Sequence, residues 1–334
     1  MINKLPMFNP TIQTYPKHAH ITSILAKHNN FNEWLFNNHI QIFCLTYNGE
    51  TNHDTYLDTY EPLHRVYYPL LEMQSMSKDL LKANNIDTCD FIVNCINSGY
   101  YIYLSVDTYY IPTYSSKEHS THDLFLFGYD SDRKVFHAAD FFNSHYTHED
   151  IGFDSMKLAV ESLGTGLNDF KDVQLLKINE KPINPLYSLD VEHLKNNLHD
   201  YLYEKDTSYR YKEFEGPFSK DDNRTWGLGV YNTLLKVLKE EIIPSVTLRS
   251  IHALYEHKKL MKMRVKFLIE NNFIKSHSDL IDCFEKVEHD ALIIRNVLLK
   301  SMHNNKHNDK VSILLEQLRI SDRESIEKII ESIS

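Results

Sequence analysis

The period of the apolar residues changes near residue 185, and this change constrains the fold more than any other feature of the sequence. Before it, short aromatic and β-branched runs such as Tyr100–Val106 and Leu124–Tyr129 are bounded by turn residues and predict strands. After it, apolar residues recur at spacings of three and four, which predicts helices. We therefore expect an α+β fold in which residues 1–184 form a domain with an antiparallel sheet and residues 185–334 form a helical bundle domain.

Turn residues and helix caps place the other elements. Two more strands are expected at Val135–Ala139 and Val173–Ile178. Helices of the first half are expected at 17–27, 75–83 and 90–98. Those of the second half are expected at 188–203, 226–241, 248–271, 278–302 and 309–318, with a last helix after the capping box of Ser321 and Glu324.

The composition excludes several classes of function. The chain has 334 residues with 36 Lys+Arg and 46 Asp+Glu, and the net charge of -10 disfavours nucleic acid and favours cationic ligands. Its 9 glycines form no phosphate-binding loop, so we expect no cofactor, and its 4 cysteines lack the spacing of a zinc site or a disulfide framework. Because the sequence lacks a membrane-spanning run and a secretory signal, we expect a cytoplasmic protein.

A histidine and an aspartate fall at the same end of a predicted hairpin. His122 opens one strand and Asp140 closes its partner, with the polar turn 130–134 between them. The two ends of an antiparallel hairpin lie side by side, so Asp140 can orient His122 as a catalytic base. In the alternative, His122 is a strand-end histidine that is satisfied by Asp107 or by a backbone carbonyl.

The stretch His122–Asp130 with Asp140 downstream resembles the histidine-to-aspartate hairpin of papain-like proteins, especially the bacteriocin-processing peptidases and the butirosin biosynthesis protein H family. Other segments are similar to a group of such proteins found beside nonribosomal peptide synthetase genes: Asp107–Pro112, Trp226–Tyr231 and Leu254–Met261. The resemblance implies a papain-like domain that transfers an acyl or aminoacyl group from a carrier-protein thioester to an amine, followed by a helical domain. The implied partners are an acyl or peptidyl carrier protein and an amine-containing small molecule or peptide.

The nucleophile is where the sequence departs from this family. Papain-like enzymes carry a cysteine at a helix N-terminus, but the corresponding helix here begins at Pro16 and contains His18 and His20, which we take as candidate substrate-binding residues. A metal site built from such histidines lacks any established ligand spacing. The first cysteine is Cys44, in an apolar stretch with strand-like alternation, and it is either the nucleophile or a small core residue.

Two functions therefore stay open. The first is an acyl or aminoacyl transferase, or a thioester hydrolase, in which His122 acts either through a nucleophile or directly on a bound amine. The second is a degenerate papain-like protein that binds or scaffolds a partner in the same pathway. A leader-peptide protease would need the same missing nucleophile.

Two other groups of residues are candidates for binding. Tyrosines are dense between residues 100 and 114, and Asp107, Tyr109 and Tyr110 are expected to line a substrate cleft, although core packing explains part of this density. The stretch 257–266 is basic in an otherwise acidic protein. It is expected either to dock an acidic carrier protein or to be a solvated helix face. Its candidate docking residues are Lys258, Lys259, Lys262 and Lys266.

Overall fold

The fold is described from a computed structural model, which covers residues 1–48, 53–61, 68–142, 145–163, 172–180, 188–211, 223–239, 245–274, 278–304 and 309–333. They form two compact units: the first comprises Met1–Phe31 and Arg65–Tyr187, and the second comprises Asn32–His64 and Ser188–Ser334. The domain boundary expected between residues 184 and 185 falls on 181–187, outside the described residues. Residues 32–64, expected in the first domain, belong to the second unit.

The described residues contain ten strands and ten α-helices. The strands are β1 (Ile2–Lys4), β2 (Ile42–Asn48), β3 (His53–Thr59), β4 (Leu71–Ser77), β5 (Tyr101–Asp107), β6 (Thr121–Asp130), β7 (Val135–Phe142), β8 (His145–Gly152), β9 (Asp172–Ile178) and β10 (Arg224–Trp226). The helices are α1 (Pro16–Leu25), α2 (Phe31–Asn37), α3 (Lys78–Ala83), α4 (Thr88–Asn97), α5 (Phe153–Glu161), α6 (Val191–Leu202), α7 (Val230–Val237), α8 (Ser245–Glu270), α9 (Ser278–Asn304) and α10 (Asp309–Ser332).

The first unit is built on a seven-stranded antiparallel sheet. Its strands follow the order β4-β9-β5-β6-β7-β8, and β1 pairs with β6. Because side chains alternate along a strand, Leu124 and Leu126 point into a buried cluster that includes Ile92 of α4 and Met156 of α5. Phe125 points to the other face, where α1 packs against it. The expected α+β class with an antiparallel sheet is thus confirmed.

The second unit combines a small sheet with long helices. β2 pairs with both β3 and β10, so that Cys44 lies opposite Leu57 and Thr225. This pairing explains why residues 32–64 belong to the second unit, since their strands complete a sheet with a strand that follows residue 188. The expected helical character of the C-terminal region is confirmed. Among the described residues no helix has the length and apolarity required to cross a bilayer.

Three predicted element boundaries are wrong for local reasons. The helix expected at 226–241 begins only at Val230, because Arg224–Trp226 pairs with β2 as strand β10. The helix expected at 75–83 begins only at Lys78, because residues 71–77 pair with β9 and Ser77 caps the helix by accepting a hydrogen bond from the Asp79 amide. The capping box of Ser321 and Glu324 does not start a helix, because α10 runs through it. Its buried stripe continues uninterrupted from one side of the box to the other.

A buried ion pair ties α8 to α10 in the second unit. Lys258 Nζ donates to Asp322 Oδ2 at 2.7 Å, and neither side chain is exposed. The hydroxyls of Tyr201 and Tyr231 donate to the same carboxylate oxygen at 2.6 and 3.0 Å. A buried charge of either sign is tolerated only with such partners, so removal of one member leaves the other uncompensated.

We therefore predict that Asp322→Asn destabilises the protein by about 3–5 kcal/mol, because it leaves the Lys258 ammonium buried without a counter-charge. The double variant Lys258→Met/Asp322→Asn should be more stable than Asp322→Asn alone, since it also removes the unpaired ammonium. Urea unfolding of the three proteins measures both differences. Equal stability of the single and double variants would show that the unpaired charge is not the cause of the lost stability.

Candidate active site

His122 and Asp140 meet at one end of the β6–β7 hairpin. Phe125 pairs with Ala139, and this register brings the start of β6 alongside the end of β7. His122 Nε2 donates to Asp140 Oδ2 at 2.7 Å. The imidazole side chain is 38% exposed, whereas the carboxylate is 0% exposed. The hairpin thus holds an accessible base on a buried acid, which is the adjacency expected from the sequence; the catalytic role of the pair stays a prediction.

The electrostatics of Asp140 favour its ionised form. Burial alone raises the pKa of Asp140, but the hydrogen bond and charge of His122 and the hydrogen bond from Tyr114 together hold this pKa below its usual range. An ionised carboxylate at Nε2 fixes the tautomer of His122, so that Nδ1 is the nitrogen that accepts a proton. The pair therefore has the charge and the orientation of a general base with its orienting acid.

Tyr114 is a third member of this cluster. Its hydroxyl donates a hydrogen bond to Asp140 Oδ2, and its ring meets the His122 ring edge-on, with 5.4 Å between centroids. In the sequence, Tyr114 is marked only as one of the tyrosines that are dense between residues 100 and 114. Nothing in the local pattern indicates its partner, because the contact depends on the path of the loop between β5 and β6.

His18 and His20 are both buried on α1. The His20 ring stacks on Phe125 with 4.7 Å between centroids, and its Nδ1 is hydrogen-bonded to the Tyr146 hydroxyl at 2.9 Å. Burial lowers the pKa of His20 to about 3, so this imidazole is neutral at physiological pH. The environment of His20 is that of a packed core histidine; substrate binding by His18 and His20 stays a prediction.

Asp107 organises the loop that follows β5. It accepts hydrogen bonds from the amides of Tyr109 and Ser120 and from His119 Nδ1, the last at 2.7 Å. These contacts hold the pKa of Asp107 below its usual range even though burial raises it. Asp107 is thus paired with His119, whereas His122 is paired with Asp140. The hydrogen bonds of the described residues therefore do not support the alternative in which Asp107 satisfies His122.

Tyr109 and Tyr110 flank the same loop. Tyr109 is 48% exposed and lies against the His119 ring, with 4.3 Å between centroids, while Tyr110 meets Tyr109 edge-on at 5.2 Å. This exposed aromatic surface lies in the loop that joins β5 to β6. The end of β5 pairs with the start of β6, where His122 lies. Its position suits the expected substrate-binding role, which stays a prediction.

Cys44, Cys89 and Cys95 occupy environments that suppress thiolate formation. Cys44 lies in β2 of the second unit with no exposed surface, and burial raises its pKa to about 12. In the first unit, Cys89 and Cys95 lie on α4, and burial raises the pKa to about 12 and about 11 respectively. The Cys89 thiol donates to the Phe153 carbonyl. Since the thiolate is the nucleophile, these environments favour structural roles.

The basic stretch of α8 divides between core and surface. Lys258 is buried in its ion pair with Asp322, so its ammonium cannot contact a partner protein without unfolding. Lys262 pairs with Glu288 and Lys266 with Glu285, both of α9. The carrier-docking prediction is therefore confined to Lys259, Lys262 and Lys266.

No protein-family model matches this chain, and no curated protein is similar enough to be counted as a relative.

We predict that native Cys44 resists alkylation. Its raised pKa and burial leave almost no accessible thiolate at pH 7.5, so iodoacetamide should modify Cys44 at less than about a hundredth of its rate in urea. Peptide mass mapping over time measures the rate, and the partly exposed Cys283 serves as the reference thiol in the same samples. Rapid native labelling of Cys44 would restore it as a candidate nucleophile.

Proposed function

We propose that this protein is a papain-like acyl or aminoacyl transferase, or a thioester hydrolase, that acts on carrier-protein-bound substrates in nonribosomal peptide biosynthesis. The observation that carries the proposal is the 2.7 Å hydrogen bond from the accessible His122 to the buried Asp140. This arrangement suits proton transfer at the rim of the sheet. The resemblance of the hairpin to papain-like proteins supplies the class of reaction.

The reaction follows from the orientation of His122. A neutral amine attacks the thioester carbonyl, and His122 Nδ1 takes the proton that the nitrogen loses as the new C–N bond forms. The C–S bond of the thioester then breaks, and the imidazolium returns the proton to the departing carrier thiolate. Asp140 stabilises the imidazolium throughout through the hydrogen bond at Nε2. Water in place of the amine gives hydrolysis by the same steps.

Direct attack by the acceptor is preferred here over a covalent acyl-enzyme. Burial raises the pKa of Cys89 and Cys95 in the first unit, and it raises the pKa of Cys44 in the second unit as well. A general base does not need a protein nucleophile if the acceptor is itself nucleophilic. The net charge of -10 favours a cationic acceptor such as a polyamine.

We predict that His122→Gln lowers the rate of transfer from an acylated carrier protein to a polyamine by about 10²–10⁴-fold, the range for loss of a general base. Mass spectrometry of the acylated amine measures the rate. The matched control is His137→Gln: His137 also hydrogen-bonds to an aspartate, Asp150, but at the other end of β7. His137→Gln should transfer at the wild-type rate.

Intact-mass analysis during turnover distinguishes the two chemical routes. Direct aminolysis predicts no acyl adduct on the protein and an unchanged rate in Cys44→Ala. An adduct on a cysteine would replace direct attack with covalent catalysis. Transfer by His122→Gln at the wild-type rate would reject His122 as the base.

A degenerate binding or scaffold protein is the second candidate, and the start of α1 favours it. This helix begins at Pro16, and neither Pro16 nor the residues around it is the cysteine that papain-like enzymes carry there. A protein that keeps the papain-like shell without its nucleophile can still hold a carrier domain. In that case binding, not turnover, is the measurable property.

For this second candidate we predict that reversing the charge of Lys259, Lys262 and Lys266 to Glu weakens binding of an acidic carrier protein by about tenfold or more, because long-range attraction becomes repulsion. Titration calorimetry measures the affinity. A control with Lys236, Lys239 and Lys300 changed to Glu carries the same net charge at exposed positions outside α8. Equal affinity of the two triple variants would exclude the α8 face as the docking surface.

A further inference from the structure

The contacts of Tyr114 reach both members of the His122–Asp140 pair. Its hydroxyl donates to Asp140 Oδ2, the oxygen that also accepts from His122 Nε2, and its ring lies edge-on to the imidazole. We infer that Tyr114 is a positioning residue that sets the basicity of His122 by sharing the Asp140 carboxylate oxygen with it. The catalytic significance of this inference rests on the proposed function. The geometry of Tyr114 and the experiment that tests it do not depend on that function.

The backbone around Tyr114 holds the phenol in place. A short 3-10 turn, Pro112–Tyr114, follows the buried residue Ile111, and Ser115 closes it with a left-handed φ of 52° and a hydrogen bond from its amide to the Pro112 carbonyl. The Tyr114 ring also packs against Phe142 of β7, with 5.1 Å between centroids. Proline fixes its own φ angle, which limits the freedom of the turn. The donor therefore reaches Asp140 from a fixed position.

The charges around the cluster keep Tyr114 a donor. Burial and the nearby carboxylates of Asp140 and Asp123 raise the pKa of Tyr114 far above its usual value, so its hydroxyl keeps its proton throughout the physiological range. The other titratable groups that influence Asp140 are His122 and His20, and the Tyr146 phenol feels its charge in turn. Among these groups, His122 and Tyr114 donate the hydrogen bonds that the described residues make to Asp140 Oδ2.

The sign of the effect follows from this competition. Two donors on one carboxylate oxygen each weaken the attraction that the other feels, because each offsets part of the same negative charge. Loss of the phenol hydroxyl concentrates that charge on the His122 N–H and stabilises the imidazolium. Tyr114→Phe should therefore raise the pKa of His122, while the retained ring preserves the packing against Phe142.

The test is an NMR titration of protein labelled with ¹³C-histidine, in which the His122 signal is the one missing from His122→Gln. Tyr114→Phe should raise the pKa of His122 by about 0.5 or more. The control is Tyr129→Phe, which removes a similarly buried hydroxyl, bonded to Asn97 at 2.8 Å, from the strand that carries His122. Tyr129→Phe should leave the His122 titration unchanged.

A change in the pKa of His122 smaller than about 0.2 in folded Tyr114→Phe would overturn the inference. If Tyr114→Phe does not fold, the wild-type protein decides: a slowly exchanging hydroxyl proton with Overhauser contacts to the rings of Tyr114 and His122 supports the inference, and its absence overturns it. Neither measurement uses activity. A shifted titration in a protein that fails to transfer acyl groups would reject the proposed function and leave the positioning role of Tyr114 intact.

Discussion

The hydrogen bond between His122 and Asp140 is the interaction on which the functional interpretation depends. It joins two side chains 18 positions apart, and only the antiparallel pairing of β6 with β7 can bring them together. The sheet buries the acid and leaves the base accessible, so the same strands that form the core also create an asymmetric pair. Burial would favour the protonated acid, and the surrounding donors reverse that preference.

The adjacency of His122 and Asp140 could be predicted from the sequence because it depends on local rules: strand length, a short polar turn and the geometry of a hairpin. The partner of Tyr114 could not be predicted, since its position depends on an irregular loop. Lys258 illustrates a different limit. A cluster of lysines on a helix is typical of a solvated face, yet Lys258 is buried because a carboxylate 64 positions away lies opposite it. Periodicity describes one helix and carries no information about the helix packed against it.

The burial of Cys44 in β2, which raises the pKa of its thiol, shapes the chemistry that can be proposed. Its stretch is apolar and alternating, which predicts a buried strand, and β2 is such a strand. What the sequence could not indicate is that this strand completes a sheet with β10, almost 180 positions later. A base and an orienting acid can activate a nucleophile that the substrate brings, and this route does not require a protein thiolate.

The ion pair between α8 and α10 also has a consequence for synthesis of the protein. Translation completes the helix that carries Lys258 long before it reaches Asp322. Until then the Lys258 ammonium has no carboxylate partner to offset the cost of its desolvation. Packing of the neighbouring helices around it is therefore little favoured. Folding of the second unit is therefore expected to wait for synthesis of α10 and then to occur as one concerted step.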